Sequence, residues 1–176
     1  MSHYGVKILI LLPIVLLFLL ISCDQGIEPK PISEPTGFSG EITFIGNWPG
    51  GIQRTHIVAF KNPLLTESDF NVFNLKYVSE EIPNGTQVYS YSTLDSSIVP
   101  EEGFLNPGEY SYIAVAQSKS VEVSLNREDW FVAGLYYSPN DSTSPGKIII
   151  TEGEILENIT IICDFNNPPP QPPGGN

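Results

Sequence analysis

The sequence is poor in the residues from which active sites are built. It holds two histidines and two cysteines in 176 residues, and His3 and Cys23 both fall within the first 23 positions. A relay of serine, histidine and aspartate, or a metal site of two histidines, needs more than the remaining His56. Basic residues are scarce, eight against twenty acidic, for a net charge of -12. The first 22 residues contribute Lys7 and no acid, so the rest of the chain carries -13. Such a surface repels nucleic acid and anionic headgroups, and suits solubility, cations or basic partners. Charged residues are only 16% and aromatics reach 11%, which is too apolar and too weakly charged for a disordered chain. No apolar run reaches the roughly 20 residues of a spanning helix. There is no internal repeat, no long helical period and no nucleotide-binding loop. These absences argue against an enzyme, and no cofactor, metal or nucleic-acid partner is expected.

The N-terminus carries the strongest pattern. Ile8 to Ile21 is fourteen apolar residues interrupted by Pro13 and preceded by Lys7, as in the apolar region of a secretory signal. It stops at small Ser22 and then Cys23. Leu20-Ile21-Ser22-Cys23 resembles a bacterial lipobox: an apolar residue, a tolerant position, a small residue, then cysteine. The resemblance implies a signal peptide over 1–22, a diacylglycerol on the Cys23 sulfur, cleavage before Cys23 and acylation of the new amine. Each buried methylene contributes about 0.8 kcal/mol, so two or three acyl chains anchor stably. The expected location is the bacterial cell envelope, with the membrane as partner through the lipid. Asp24 resembles the inner-membrane retention signal of enteric bacteria, which other phyla do not read. The outer membrane or cell surface is favoured and the leaflet stays open.

Residues 23–37 hold prolines at 29, 31 and 35 and read as an extended spacer, on the order of 40 Å long in polyproline II geometry. Residues 166–176 are a second proline-rich stretch, "NNPPPQPPGGN", expected to be a loose, disordered tail. Between them the chain alternates with period two. Phe38, Gly40, Ile42 and Phe44 face one way from a polar set, which makes a half-buried strand. "THIVAF" (55–60) and "WFVAGLYY" (130–137) are apolar on both sides, the mark of central strands. "FNVFNLKYV" (70–78) fits strand or helix, and "SPNDSTSPG" (138–146) reads as a loop. Asn106-Pro107-Gly108-Glu109 favours a type II turn into "YSYIAVAQ" (110–117). In "ILENITIICDF", Ile159, Ile161, Cys163 and Phe165 share a face. Seven or eight short strands with turns between them predict an all-β sandwich.

"SGEITFIG" followed by "THIVAF", and "LNPGEYSYIAVA" followed by "GKIIITEGEILENITIICDF", resemble the carboxypeptidase regulatory-like (transthyretin-like, prealbumin-like) domain of many bacterial surface lipoproteins. The match spans about 38–165 and rests on Gly40, Pro107, Gly108, Tyr110, Ala114 and Gly153, which are turn and packing residues. It implies a non-catalytic sandwich of about seven strands, with no catalytic residue to carry over. The stretch 71–91 and the insertion "STLDSSIVPEEG" depart from the pattern.

Few residues point to chemistry. His56 lies inside a strand and reads as a hydrogen-bonded strand histidine. With Cys23 lipidated, Cys163 has no disulfide partner, and its apolar neighbours predict a buried, inert thiol. The acidic pairs Glu80-Glu81, Glu101-Glu102 and Glu128-Asp129 read as solvated turns, with weak calcium binding at "NDS" or "PEEG" as the alternative. Trp48 in a Gly/Pro turn, and Tyr136 and Tyr137 at a strand end, are candidate platforms for stacking on sugar faces. Starch-binding-like domains resemble this fold and use aromatics so. Asp141-Ser142-Thr143 resembles a short O-glycosylation site of exported proteins. The expected function is a non-catalytic, membrane-anchored envelope module for binding or structure. The alternative is an accessory carbohydrate-binding lipoprotein, whose partner is a polysaccharide in place of another envelope protein. An enzyme of unknown type ranks third.

Overall fold

The computed structural model describes residues 34–100 and 104–175. The signal region, Cys23, most of the spacer and Glu101-Glu102 lie outside the described residues. The strands run β1 Gly37–Ile45, β2 Arg54–Phe60, β3 Leu75–Ser79, β4 Val88–Ser92, β5 Ser97–Val99, β6 Gly108–Tyr110 and β7 Tyr112–Ser118. They continue with β8 Trp130–Leu135, β9 Tyr137–Ser138, β10 Asp141–Pro145, β11 Ile148–Ile150, β12 Ile155–Leu156 and β13 Ile161–Asp164. Two single 3-10 turns, Glu67–Asp69 and Arg127–Asp129, are the helical content among the described residues. No helix among them is long and apolar enough to cross a membrane.

The protein is all-β. Eight strands form one sheet in the order β4-β1-β13-β8-β7-β2-β3-β5, and β12 pairs with the start of β1 on the same edge that β13 uses further along. β1 runs parallel to β12 and β13, and the other neighbours in the sheet are antiparallel. The edge strands β4 and β5 are joined by only Thr93–Ser96, so the sheet must curl until its two edges meet. The Tyr77 hydroxyl on β3 donates to Ser92 O on β4 across that seam at 3.5 Å. The walls of the curled sheet face each other as in a sandwich. The larger core lies between them and holds the apolar face read from the sequence: Phe38, Ile42 and Phe44 of β1, with Ile161 and Cys163 of β13. A second, smaller core lies on the outer face of β2, β7 and β8, around Phe60, Tyr112, Ala114 and Val132. Burial on both faces is why β2 and β8 read as apolar on both sides.

The type II turn expected over Asn106–Glu109 is replaced by a bend at Pro107 that runs straight into β6. Gly108 has φ +138°, in the region that favours glycine, and the Tyr110 hydroxyl donates back to Asn106 O at 2.8 Å. In 70–78 the ambiguity resolves into a turn over 70–74 followed by β3. Three stretches differ from expectation. The loop 138–146 is the β9–β10 hairpin, whose β10 is exposed at every position. The single closing strand from Ile155 is broken at Asn158, which takes φ +64°, a conformation asparagine tolerates better than most residues.

The third difference is the tail, which is docked along the described residues to Gly175. The side chain of Gln171 accepts from Val132 N at 2.7 Å and donates to Val132 O at 2.9 Å. Pro172 is buried. Pro172-Pro173-Gly174-Gly175 is a turn closed by Gly175 N to Pro172 O at 3.4 Å, with Gly174 at φ +77°. That is proline second and glycine third, the same signal as at Pro107-Gly108.

Candidate functional site

An open groove of about 690 Å³ lies on the outer face of the sheet. Its floor is Thr160 followed by the outward residues of β13, Ile162 and Asp164. Ile162 is 58% exposed, unlike the inward Ile161 and Cys163 beside it. One wall is the β9–β10 hairpin with Tyr137 and Ser142, and the other is Asn167 to Pro170 of the docked tail. The hairpin is stiffened at its turn by Asp141, whose carboxylate accepts from Thr143 N at 2.9 Å and from the Thr143 hydroxyl at 2.7 Å. These bonds hold the Asp141 carboxyl below its ordinary value. Asp164 likewise fixes the opposite turn, accepting from Asn166 N and Nδ2 at 3.0 and 3.1 Å. The groove therefore offers one ring, one exposed isoleucine and a proline wall, with hydroxyl, amide and carboxylate groups around them. It contains no histidine and no cysteine, and no geometry for proton relay.

Of the three candidate platforms, only Tyr137 is in this groove, where it is half-buried. Tyr136 is 8% exposed and belongs to the larger core. Alternation along the strand turns adjacent tyrosines to opposite faces, so the pair cannot form a single surface. Trp48 is held more tightly than a Gly/Pro turn suggests. Its ring packs on Phe44 at 4.7 Å and Phe165 at 5.3 Å, and its Nε1 donates to Thr86 O at 3.0 Å. The indole closes one end of the core.

His56 is fully buried on the outer face of β2, 6.0 Å from the Trp130 ring. Its Nδ1 lies 2.9 Å from Ser79 O, and its Nε2 meets no partner among the described residues. The sequence reading of a satisfied histidine thus holds for one nitrogen. Burial lowers its pKa, which favours the neutral ring. Cys163 is fully buried and unpaired, and burial pushes its thiol up to about 12. A thiol so far from its thiolate is inert. Glu80 and Glu81 are exposed, and Glu81 lies 3.7 Å from Arg54. Glu128 is exposed, while Asp129 accepts from the Ser124 hydroxyl. Among the described residues, no three His, Cys, Asp or Glu side chains gather as a metal site would require.

Sequence reading missed Gln171, Pro172 and Arg127, which seat the tail. The Pro-Pro-Gly-Gly turn was the legible signal for the first two. No protein-family model, curated protein or solved structure matches the chain.

Proposed function

We propose that this chain is a non-catalytic lipoprotein of a bacterial cell envelope, anchored through Cys23, with a transthyretin-like β-domain acting as a binding or structural module at the outer membrane or cell surface. The observation that carries this reading is Leu20-Ile21-Ser22-Cys23 at the end of a fourteen-residue apolar run. The domain suits such a role. The histidine and the cysteine of the described residues, His56 and Cys163, are sealed in the packing, and the groove is open and lined by groups that bind by contact and hydrogen bonding.

The two cysteines test the anchor together. Mass spectrometry of protein made in a bacterial host is expected to show Cys23 acylated and the chain beginning there. Cys23→Ala should abolish both modification and processing. Cys163 should resist maleimide until the protein is denatured. An unmodified Cys23, or a disulfide between the two, means a soluble secreted domain instead.

A second reading, carbohydrate binding, is favoured by Tyr137 in the groove. A tyrosine face buries the C–H surface of a sugar while its hydroxyls meet Ser142, Thr160, Asp164 and Asn167. Migration through gels containing a panel of polysaccharides is expected to be retarded, and Tyr137→Ala to weaken binding by about 1 to 3 kcal/mol, the scale for losing a stacking platform. Trp48→Ala should act on stability in place of affinity. Free migration of the wild type through every gel removes the sugar reading and leaves the anchor untouched.

A further inference from the structure

The outer face of β2, β7 and β8 is apolar, and a solvated antiparallel sheet would instead carry polar residues there. Here the face is covered by the loop bearing Leu64 and Phe70 and by the C-terminal segment. That segment belongs to no sheet. It is held by contacts of the kind with which proteins grip proline-rich ligands. Pro172 is buried, and with Phe60, Tyr112, Trp130 and Val132 it lines one small apolar cavity. Gln171 imitates a strand, with its amide both giving and receiving a hydrogen bond at Val132. Arg127, 6% exposed, donates to Pro172 O at 3.0 Å and to Trp130 O, and its guanidinium lies 5.7 Å from the centre of the Phe70 ring. No carboxylate among the described residues pairs with Arg127. A buried guanidinium needs acceptors, and two carbonyls supply them, one from the tail.

The geometry points to a peptide receptor: the Phe60–Tyr112–Trp130–Arg127 pocket recognises a Gln-Pro-Pro-Gly segment as a separable ligand, and the chain's own residues 171–174 are its resident occupant. An aromatic slot, a hydrogen bond to a proline carbonyl and strand-like pairing beside it are the elements of proline-peptide and edge recognition. Proline-rich segments lose little entropy on docking because they are already extended. Tethering sets the effective concentration of the resident segment near the millimolar range, so it wins over free peptide while attached.

The test uses the full chain with one protease site inserted between Asn167 and Pro168. After cleavage, the severed segment is removed by gel filtration in urea, and the protein is returned to buffer with a fluorescent peptide, Pro-Pro-Pro-Gln-Pro-Pro-Gly-Gly-Asn. The cut chain is expected to bind the peptide one to one by anisotropy, and the uncut chain to ignore it. Peptides with alanine for the glutamine, or for the proline after it, should bind at least about tenfold more weakly, the scale for a lost pair of hydrogen bonds or a lost buried ring. A cut chain that keeps its β-type circular dichroism but takes up no peptide overturns the proposal. So does equal binding by the uncut chain. A cut chain that unfolds should be restored by millimolar peptide, and failure to restore it overturns the proposal as well.

Discussion

Gly40→Ala is expected to destabilise the domain by about 3 to 5 kcal/mol, a large part of the roughly 5 to 15 kcal/mol that holds a domain of this size together. The cause is a crossing of backbones. Between β12 and β13 the chain leaves the edge of β1, turns at Asn158 in the left-handed region, and carries Ile159 over the inner face of β1. Ile159 N returns to the strand by donating to Ser39 O at 3.0 Å, while its carbonyl lies over Gly40. A Cβ on Gly40 would stand 2.6 Å from the Ile159 carbonyl carbon and 3.0 Å from its nitrogen. Those atoms belong to a backbone pinned on both sides, so they cannot swing away as a side-chain tip could. The Tyr91 hydroxyl donates to the same Ile159 O at 2.6 Å, in the buried core. Moving Ile159 would break that bond and leave a buried carbonyl unsatisfied, for about 1 to 3 kcal/mol beyond an overpacking cost of similar size. Urea denaturation of Gly40→Ala and Tyr91→Phe, singly and together, checks the account. Tyr91→Phe alone should cost about 1 to 2 kcal/mol, and the double variant should cost less than the sum, because both changes act on one carbonyl. A Gly40→Ala protein within 1 kcal/mol of the wild type sinks it.

Gly40, Tyr91 and Asn158 form one device drawn from three distant parts of the chain, and this marks what the sequence could and could not disclose. The alternation of Phe38, Ile42 and Phe44 was legible because burial on one face of a strand leaves a period of two. The positive φ of Gly108 was legible because dihedral preference is local. The same local rule applied at Pro173-Gly174, but the segment before it has no periodicity, so the contacts of Gln171 with Val132 and of Pro172 with Arg127 leave no trace in the pattern. The β9–β10 hairpin was hidden for a related reason. Its second strand is exposed throughout, so Asp, Ser and Thr occupy it as they would a loop. For the candidate platforms, composition names the rings, but only strand parity decides which of them reaches the surface. Parity placed Tyr136 in the core and Tyr137 in the groove. The groove's remaining lining comes from β13 and the tail, whose adjacency depends on the whole sheet order.

Phe38→Ala is expected to cost about 3 to 5 kcal/mol and to loosen β4 before the rest of the sheet. Phe38 is fully buried, with its ring edge-on to Tyr77 at 6.1 Å and to Tyr91 at 6.0 Å. Tyr77 belongs to β3 near one edge of the curled sheet and Tyr91 to β4 at the other, and β3 and β4 share no ladder. Phe38 is the ring that spans them from β1. Each edge-to-face pair adds roughly 0.5 to 1.5 kcal/mol to the area it buries, so removing the ring takes two such contacts as well as the transfer energy. Collapse cannot easily refill the space. Tyr91 is tied to Ile159 by its hydroxyl, and the Phe38 backbone is bound to Thr93, its N donating to Thr93 Oγ1 and its O accepting from Thr93 N, both at 2.9 Å. β4 is the strand most exposed to the loss, because it pairs only with β1 and leaves its other edge to the seam. Denaturation should show the drop in stability. Native-state hydrogen exchange should show amides of 88–92 losing protection more than those of 112–118, which lie between β2 and β8. Equal loss of protection in the two strands would mean that Phe38 supports the core generally and that the seam is held by something else.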